Sequence, residues 1–298
     1  MNNPEYENRV VLFLDILGFK NLVNASVENA EIAAQIHTAL HQIHLEYSDQ
    51  TDSFIGDTQL TFFSDSLFLT QKFHSVDSND VFYFLNTAAF IMNAFLAYGL
   101  FPRGAITHGK CIHEKVQNTD SNARIDTSIC YGPAINTAYI AEETKAIWPR
   151  IIVDSDVLLK GIQDAKTNRF EDSVKEFGEL VKNDGTVFYL DTLVPEYCDE
   201  NRFIPFIEQV RKHVIKNLNN QTDRHIREKY ELFADYFNSK VRELNPTEER
   251  VDSIPDLLIR PDKESFNKAR RLFEEANKDK VVFNKDNLSS PTKAGQVP

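Results

Sequence analysis

Apolar and polar positions alternate along this chain with two different periods, and the switches between them mark its elements. Val10–Ile16 is apolar on both faces and rich in β-branched residues, apart from Asp15, which predicts a central strand covered on both sides. Gly18 breaks it. Val27, Ala30, Ala34, Ile36, Leu40, Ile43 and Tyr47 then recur at helical spacing and predict an amphipathic helix over 26–47. QLTFFSDSLFLTQ (59–71) reads as two short strands pinched at Ser64-Asp65-Ser66. A buried helix over 81–99 follows, closed by Gly99 and Pro102.

Beyond it, RGAITHGKCIH (103–113) predicts a strand, 114–124 a polar loop and Thr127–Tyr131 another strand. Pro133 suits the first turn of a helix running to Thr144. Arg150–Val153 and Thr186–Leu190 add two strands. The order is β–α–β–β–α–β followed by strand–helix–strand, one sheet covered by helices. After residue 200 the pattern is helical only. Ile226, Tyr230, Phe233, Phe237, Val241 and Leu244 step by 4, 3, 4, 4 and 3. The short link 219–223 predicts that Phe203–Leu218 and Asp223–Leu244 form an antiparallel hairpin, packed on the sheet or joining two subunits. A last helix is expected over 263–277, before a disordered tail. These shifts divide the chain into 1–195, a helical extension 196–285 and a tail 286–298.

Composition adds little beyond exclusions. The 298 residues carry a net charge of −12 with pI near 5.2, which argues against nucleic acid as a partner. Three cysteines without metal-ligand spacing suit a reduced, cytoplasmic compartment. The polar N-terminus lacks a signal-peptide pattern. The apolar stretch 81–101 is interrupted by Asn86, Thr87 and Asn93 and is not read as a membrane span. The 22 Phe against a single Trp indicate an aromatic core and no particular ligand.

Asp15 is the position this pattern leaves unexplained, because a carboxylate inside a buried strand is costly without a partner. Asp65, at the hairpin tip, supplies a counterpart if the hairpin lies beside strand 1. Two adjacent carboxylates repel, and a hard divalent cation, magnesium or manganese, removes that conflict. Leu17-Gly18-Phe19-Lys20 then leads into a helix whose first N–H groups have no intrahelical partner, a place for phosphate. An Asp at a strand end is also an ordinary cap or turn former. Tyr47 and Phe62-Phe63 are aromatics that read first as core. His108 and His113 read as exposed strand residues.

FLDILGFKNLV, FFSDSLFL, RGAITHG and YGPAINTAYIAE, in that order, resemble the class III nucleotide cyclase catalytic domain. They are most similar to the pyrimidine cyclases of the bacterial Pycsar anti-phage systems, which make cyclic UMP or cyclic CMP. The resemblance spans residues 8–155. It implies an α+β fold, a ferredoxin-like βαββαβ core with a mixed sheet flanked by helices, here with a C-terminal helical extension. It implies that Asp15, Asp65 and the Ile16 carbonyl hold two ions of Mn2+ or Mg2+, and that Leu17, Gly18, Phe19 and Lys20 receive the triphosphate. The transition-state Asn matches Asn136. The active sites would form across a homodimer, and the product would reach a separate effector by diffusion.

The departures narrow the substrate. Thr61 stands where purine cyclases place a base-reading Lys, and Ile129 where they place an Asp. Adenine loses both contacts, which disfavours ATP and is compatible with a smaller pyrimidine ring, and the resemblance implies UTP, with CTP as the alternative substrate. The family's Arg is replaced by Ile140, so Arg103, at the start of RGAITHG, is the candidate to meet phosphoryl charge. The competing expectations are a catalytically silent cyclase-fold module that binds nucleotide or protein and, last, an unrelated metal-dependent phosphohydrolase.

Overall fold

The computed structural model describes residues 5–48, 58–72, 80–118, 125–167, 178–194 and 200–243. Strand β1 (Glu7–Ile16) leads through helices α1 (Phe19–Ser26) and α2 (Ala30–Ser48) to the hairpin β2 (Thr58–Phe63) and β3 (Ser66–Lys72). Helix α3 (Asp80–Ala97) precedes β4 (Pro102–Asn118), β5 (Ile125–Tyr131), α4 (Pro133–Lys145), β6 (Ile151–Val153) and α5 (Ser155–Thr167). Two short strands, β7 (Val181–Asn183) and β8 (Phe188–Leu190), complete the sheet, and helices α6 (Glu200–Asn220) and α7 (Arg224–Glu243) follow. The expected helix at 263–277 and the tail lie outside the described residues.

The sheet has eight strands in the order β2-β3-β1-β4-β6-β8-β7, with β5 paired to the far end of β4. Among the described pairings only β4 with β6 is parallel. The fold is therefore α+β, a mixed sheet flanked by helices, and its first four strands lie in the ferredoxin-like order. β1 is central because its two faces serve different layers. Val10, Leu12, Leu14 and Ile16 enter the large core with α2 and α3, while Val11 and Phe13 pack against Ala134, Ile135 and Ala138 of α4.

Two expectations are corrected, and one of the two placements left open for the helical hairpin is met. The helix predicted over 26–47 starts later, at Ala30, because the Asn29 carboxamide oxygen accepts the N–H groups of Glu31 and Ile32 and caps α2, and a separate helix α1 precedes it. Residues 114–118 of the expected loop are strand, since β4 runs on to pair Ile112–Asn118 with β5, and 119–124 lie outside the described residues. The helical hairpin packs on the body of its own chain: Phe101 meets Tyr230 and Phe233 edge-on, and Trp148 lies between Tyr189, Phe233 and Tyr236. No helix among the described residues is long and apolar enough to cross a membrane.

Close approach of β4 to β1 depends on Gly104. A Cβ there would lie 2.3 Å from both the Phe13 carbonyl oxygen and Leu14 Cδ2. Gly104→Ala is expected to destabilise the protein by about 1–3 kcal/mol through overpacking, read as a lowered urea midpoint. An unchanged midpoint would mean that the β1–β4 spacing is looser than described.

Candidate functional site

The end of β1, the tip of the β2–β3 hairpin and the start of β4 meet at one place. Asp15 pairs with Ser66 on one side and with Arg103 on the other. The Ile16 N–H donates to the Asp65 carbonyl at 3.0 Å, and the Leu17 N–H donates to the Phe101 carbonyl at 3.0 Å. These two bonds fix the hairpin tip beside the last residues of the central strand. Because N–H and C=O of one residue face the same way in an extended strand, the Ile16 carbonyl also faces the hairpin.

Asp15 and Asp65 are thus neighbours in charge as well as in backbone. Burial, and then the Asp65 charge, push the Asp15 carboxyl up to about 6, against the opposing pull of Arg103 and Lys229. Both carboxylates lie at strand ends and are half-buried. Gly18 adopts φ 72° at the start of α1, a left-handed conformation suited to glycine. No side chain caps that helix, and its first turn carries no acidic residue, so its leading N–H groups face the turn without an internal anion. Phe19 is buried and Lys20 exposed.

The donor set suits a hard cation. Two carboxylates and a backbone carbonyl are oxygen ligands only, and the Asp15 carboxyl stays raised, first by burial and then by Asp65, even with Arg103 and Lys229 opposing. Among the described residues no group of three His, Cys, Asp or Glu side chains is arranged for a metal. One or two carboxylates, with the remaining positions left to substrate phosphates and water, is the usual provision for magnesium.

Arg103 sits between two acids. Its Nη2 lies 3.9 Å from Asp15 Oδ2 and 2.6 Å from Glu142 Oε1, and its Nη1 donates to the Ala146 carbonyl at 3.1 Å. The nearer contact is the stronger, so the guanidinium is held chiefly by Glu142. Burial pushes the Glu142 carboxyl up to about 7, with Arg103 opposing and Asp15 adding to the rise. Glu142 was not a candidate in the sequence, where it is one of two adjacent acids in an amphipathic helix. Only the packing of α4 on the sheet turns it inward while Glu143 stays outside.

Asn136 is not brought to this cluster within the chain. It is exposed on α4, on a strip with Tyr139 and Ile140. Six residues separate it from Glu142, which places the two on different sides of the helix. Thr61 is tied into a polar network: its Oγ1 lies 2.6 Å from Ser128 Oγ and 2.8 Å from His113 Nε2. His113 is only 3% exposed and also bonds Thr70 through Nδ1, so the reading of it as an exposed strand residue is overturned. β4 continues past it to pair with β5, and both ring nitrogens are engaged by Thr61 and Thr70. Ile129, beside Ser128, is exposed, as is Phe63 at 76%. Phe62 packs on the core, near His44.

No protein-family model matches this chain, and no curated protein matches it. Solved structures do. The guanylyl cyclase Cya2 aligns at TM-score 0.41 and 12% identity over 63% of this chain and 93% of its own. A bacterial light-regulated adenylyl cyclase aligns at TM-score 0.38 and 13% identity over 70% of this chain and 100% of its own. A class III adenylyl cyclase-like ATP-binding protein from Pseudomonas aeruginosa aligns at TM-score 0.39 and 15% identity, covering 78% and 44%. Superposition at that level assigns no chemistry to this chain, whose site has to speak through its own residues.

Proposed function

We propose that this protein is a metal-dependent nucleotide cyclase that converts UTP to 3′,5′-cyclic UMP and pyrophosphate, with CTP as the alternative substrate. The observation that carries the reading is the meeting of Asp15 and Asp65 beside the uncapped Gly18 turn. In the reaction the ribose O3′ bonds to the α-phosphorus, the bond to the β-phosphate oxygen breaks, and the hydroxyl proton is released. Asp15, Asp65 and the Ile16 carbonyl would hold two ions of Mn2+ or Mg2+. When bound, these would acidify the 3′-hydroxyl and neutralise the departing phosphates. Gly18 and the N–H groups at the start of α1 receive the phosphate tail, with Leu17, Phe19 and Lys20 shaping the turn. Arg103, steered by Glu142, presents positive charge beside Asp15. These are contributions of positioning and electrostatics.

The pyrimidine reading is supported by the two base-facing positions. Thr61 is occupied by Ser128 and His113, and Ile129 offers no hydrogen bond, so a purine edge finds neither of the contacts it needs. A homodimer is supported by the exposed α4 strip, since a second copy would supply Asn136 to a site that lacks it. By the motif resemblance, the cyclic nucleotide would act in anti-phage defence as a diffusible signal to a separate effector in the cytoplasm. A second reading, a silent nucleotide-binding module, draws on Ile140, which is 56% exposed and carries no charge.

The test is to incubate the purified chain with ATP, GTP, CTP and UTP in turn, with manganese, and to identify products by mass. Cyclic UMP or cyclic CMP from wild type, and none from Asp65→Ala, is expected. Cyclic AMP would overturn the pyrimidine reading. No product from a folded dimer would leave the silent module.

A further inference from the structure

Helix α7 lies beyond the stretch that carries the resemblance, yet it packs on the phosphate-facing turn. A Cβ on Gly18 would lie 3.9 Å from both Cδ1 and Cγ2 of Ile226. One turn later Tyr230 and Phe233 meet Phe101 with ring centroids 5.2 and 5.3 Å apart, and the Phe101 carbonyl is the group that accepts the Leu17 N–H. The helix thus forms a wall of the turn. Its start is fixed, because the Asp223 carboxylate accepts the N–H groups of His225 and Ile226.

Between Ile226 and Tyr230 this wall presents Lys229. The side chain is half-buried, and its ammonium is within electrostatic reach of Arg103, Glu142 and Asp15 at the site and of Asp223, which caps its own helix. Burial and the Arg103 charge work against the ammonium, while the three carboxylates work for it. Lys229 is drawn towards Glu142 and Asp15 and opposed by Arg103, so the two cations lie about one acidic site. Asp15, Asp65 and Glu142 outnumber Arg103 and Lys229, so the protein groups alone repel phosphate. Each cation that can be aimed at the tail therefore counts.

We propose that Lys229, carried in by α7, is a triphosphate-binding residue of the site, supplying positive charge beside Gly18. This rests on the cyclase reading above. The ammonium takes the phosphate tail against the Ile226 wall, while Arg103, held by Glu142, stays nearer the α-phosphorus. The C-terminal hairpin is then part of the active site and more than a support for the sheet.

The test measures binding without turnover. The 3′-deoxy forms of UTP and CTP lack the attacking oxygen and can be titrated into the full-length protein with manganese by calorimetry. Lys229→Met keeps the apolar stem and removes the charge. It is expected to weaken the tighter of the two analogues about 10–100-fold, the value of a charge-assisted contact. The thermal midpoint of the unliganded protein should stay unchanged, and Lys229→Arg should keep most of the affinity. Affinity within about twofold of wild type in Lys229→Met would overturn the proposal while leaving the cyclase reading intact. So would weakened binding that tracks a lowered midpoint in the unliganded variant. If wild type binds neither analogue and forms no cyclic product, the cyclase reading falls first and the role of Lys229 with it.

Discussion

Asp15→Asn should reduce cyclic nucleotide formation at least about 1000-fold, the rate equivalent of about 4 kcal/mol of lost charge stabilisation at the reacting phosphate. The same substitution should leave the metal-free protein as stable as wild type or more so. The two effects have one cause. Asp15 is a half-buried acid next to Asp65, and an acid whose folded-state carboxyl is raised, here to about 6, costs stability that accumulates as the pH rises from its ordinary range to that value. Below its ordinary range the cost is absent. At pH 7.5 the penalty is fully present, on the order of 1–2 kcal/mol after allowance for the 29% of the side chain that meets water. Asparagine keeps the shape and removes the charge. A divalent cation relieves the same repulsion in another way, so manganese should raise the thermal midpoint of wild type and leave Asp15→Asn nearly unmoved. A variant that loses stability without metal, or that still responds to manganese as wild type does, would remove these two carboxylates from any metal site.

Asp15 also shows what could be read before any coordinates. A carboxylate in an apolar strand is a local contradiction, visible in seven residues, and the hairpin tip at 64–66 is marked by its turn chemistry. The central strand, the buried helix α3 and the α6–α7 stripe were legible for a similar reason: each is written in one uninterrupted period. The start of α2 at Ala30 was hidden because Asn29 acts through a side-chain cap, and Val27 before it falls in step with the apolar period. β7 and the end of β4 were hidden because short or polar strands owe their existence to the neighbour they pair with. Glu142 and Lys229 lie further out of reach. Nothing in the local pattern separates Glu142 from Glu143, or Lys229 from the other charges of α7, until packing decides which of them faces Arg103. Sites assembled from five segments are read from motif order only where a motif extends, and the resemblance ends before α7 begins.

The hairpin that brings Lys229 to the site is held by a buried ion pair, and breaking that pair from one side should be the largest stability effect outside the core. Asp191 is fully buried and accepts from Lys240 Nζ and from the Tyr236 hydroxyl, each at 2.6 Å. The Tyr236 oxygen in turn accepts the N–H groups of Thr192 and Leu193 at 3.2 and 3.3 Å. Burial and the Asp191 charge hold the Tyr236 hydroxyl well above its usual pKa, so it stays a donor. Lys240→Met would leave the Asp191 carboxylate enclosed with one neutral donor, at an expected loss of about 3–5 kcal/mol in urea unfolding. Replacing both partners by Asp191→Leu with Lys240→Met should recover much of that loss, because no charge is then left buried. Glu243, the exposed second partner of Lys240, should matter by less than about 1 kcal/mol when changed to Ala. A Lys240→Met variant within about 1 kcal/mol of wild type would show that the hairpin is held by its apolar stripe alone. If the pair is what seats α7, Lys240→Met should also weaken triphosphate binding under conditions where the protein remains folded, since Ile226 and Lys229 reach the Gly18 turn only while that helix is in place.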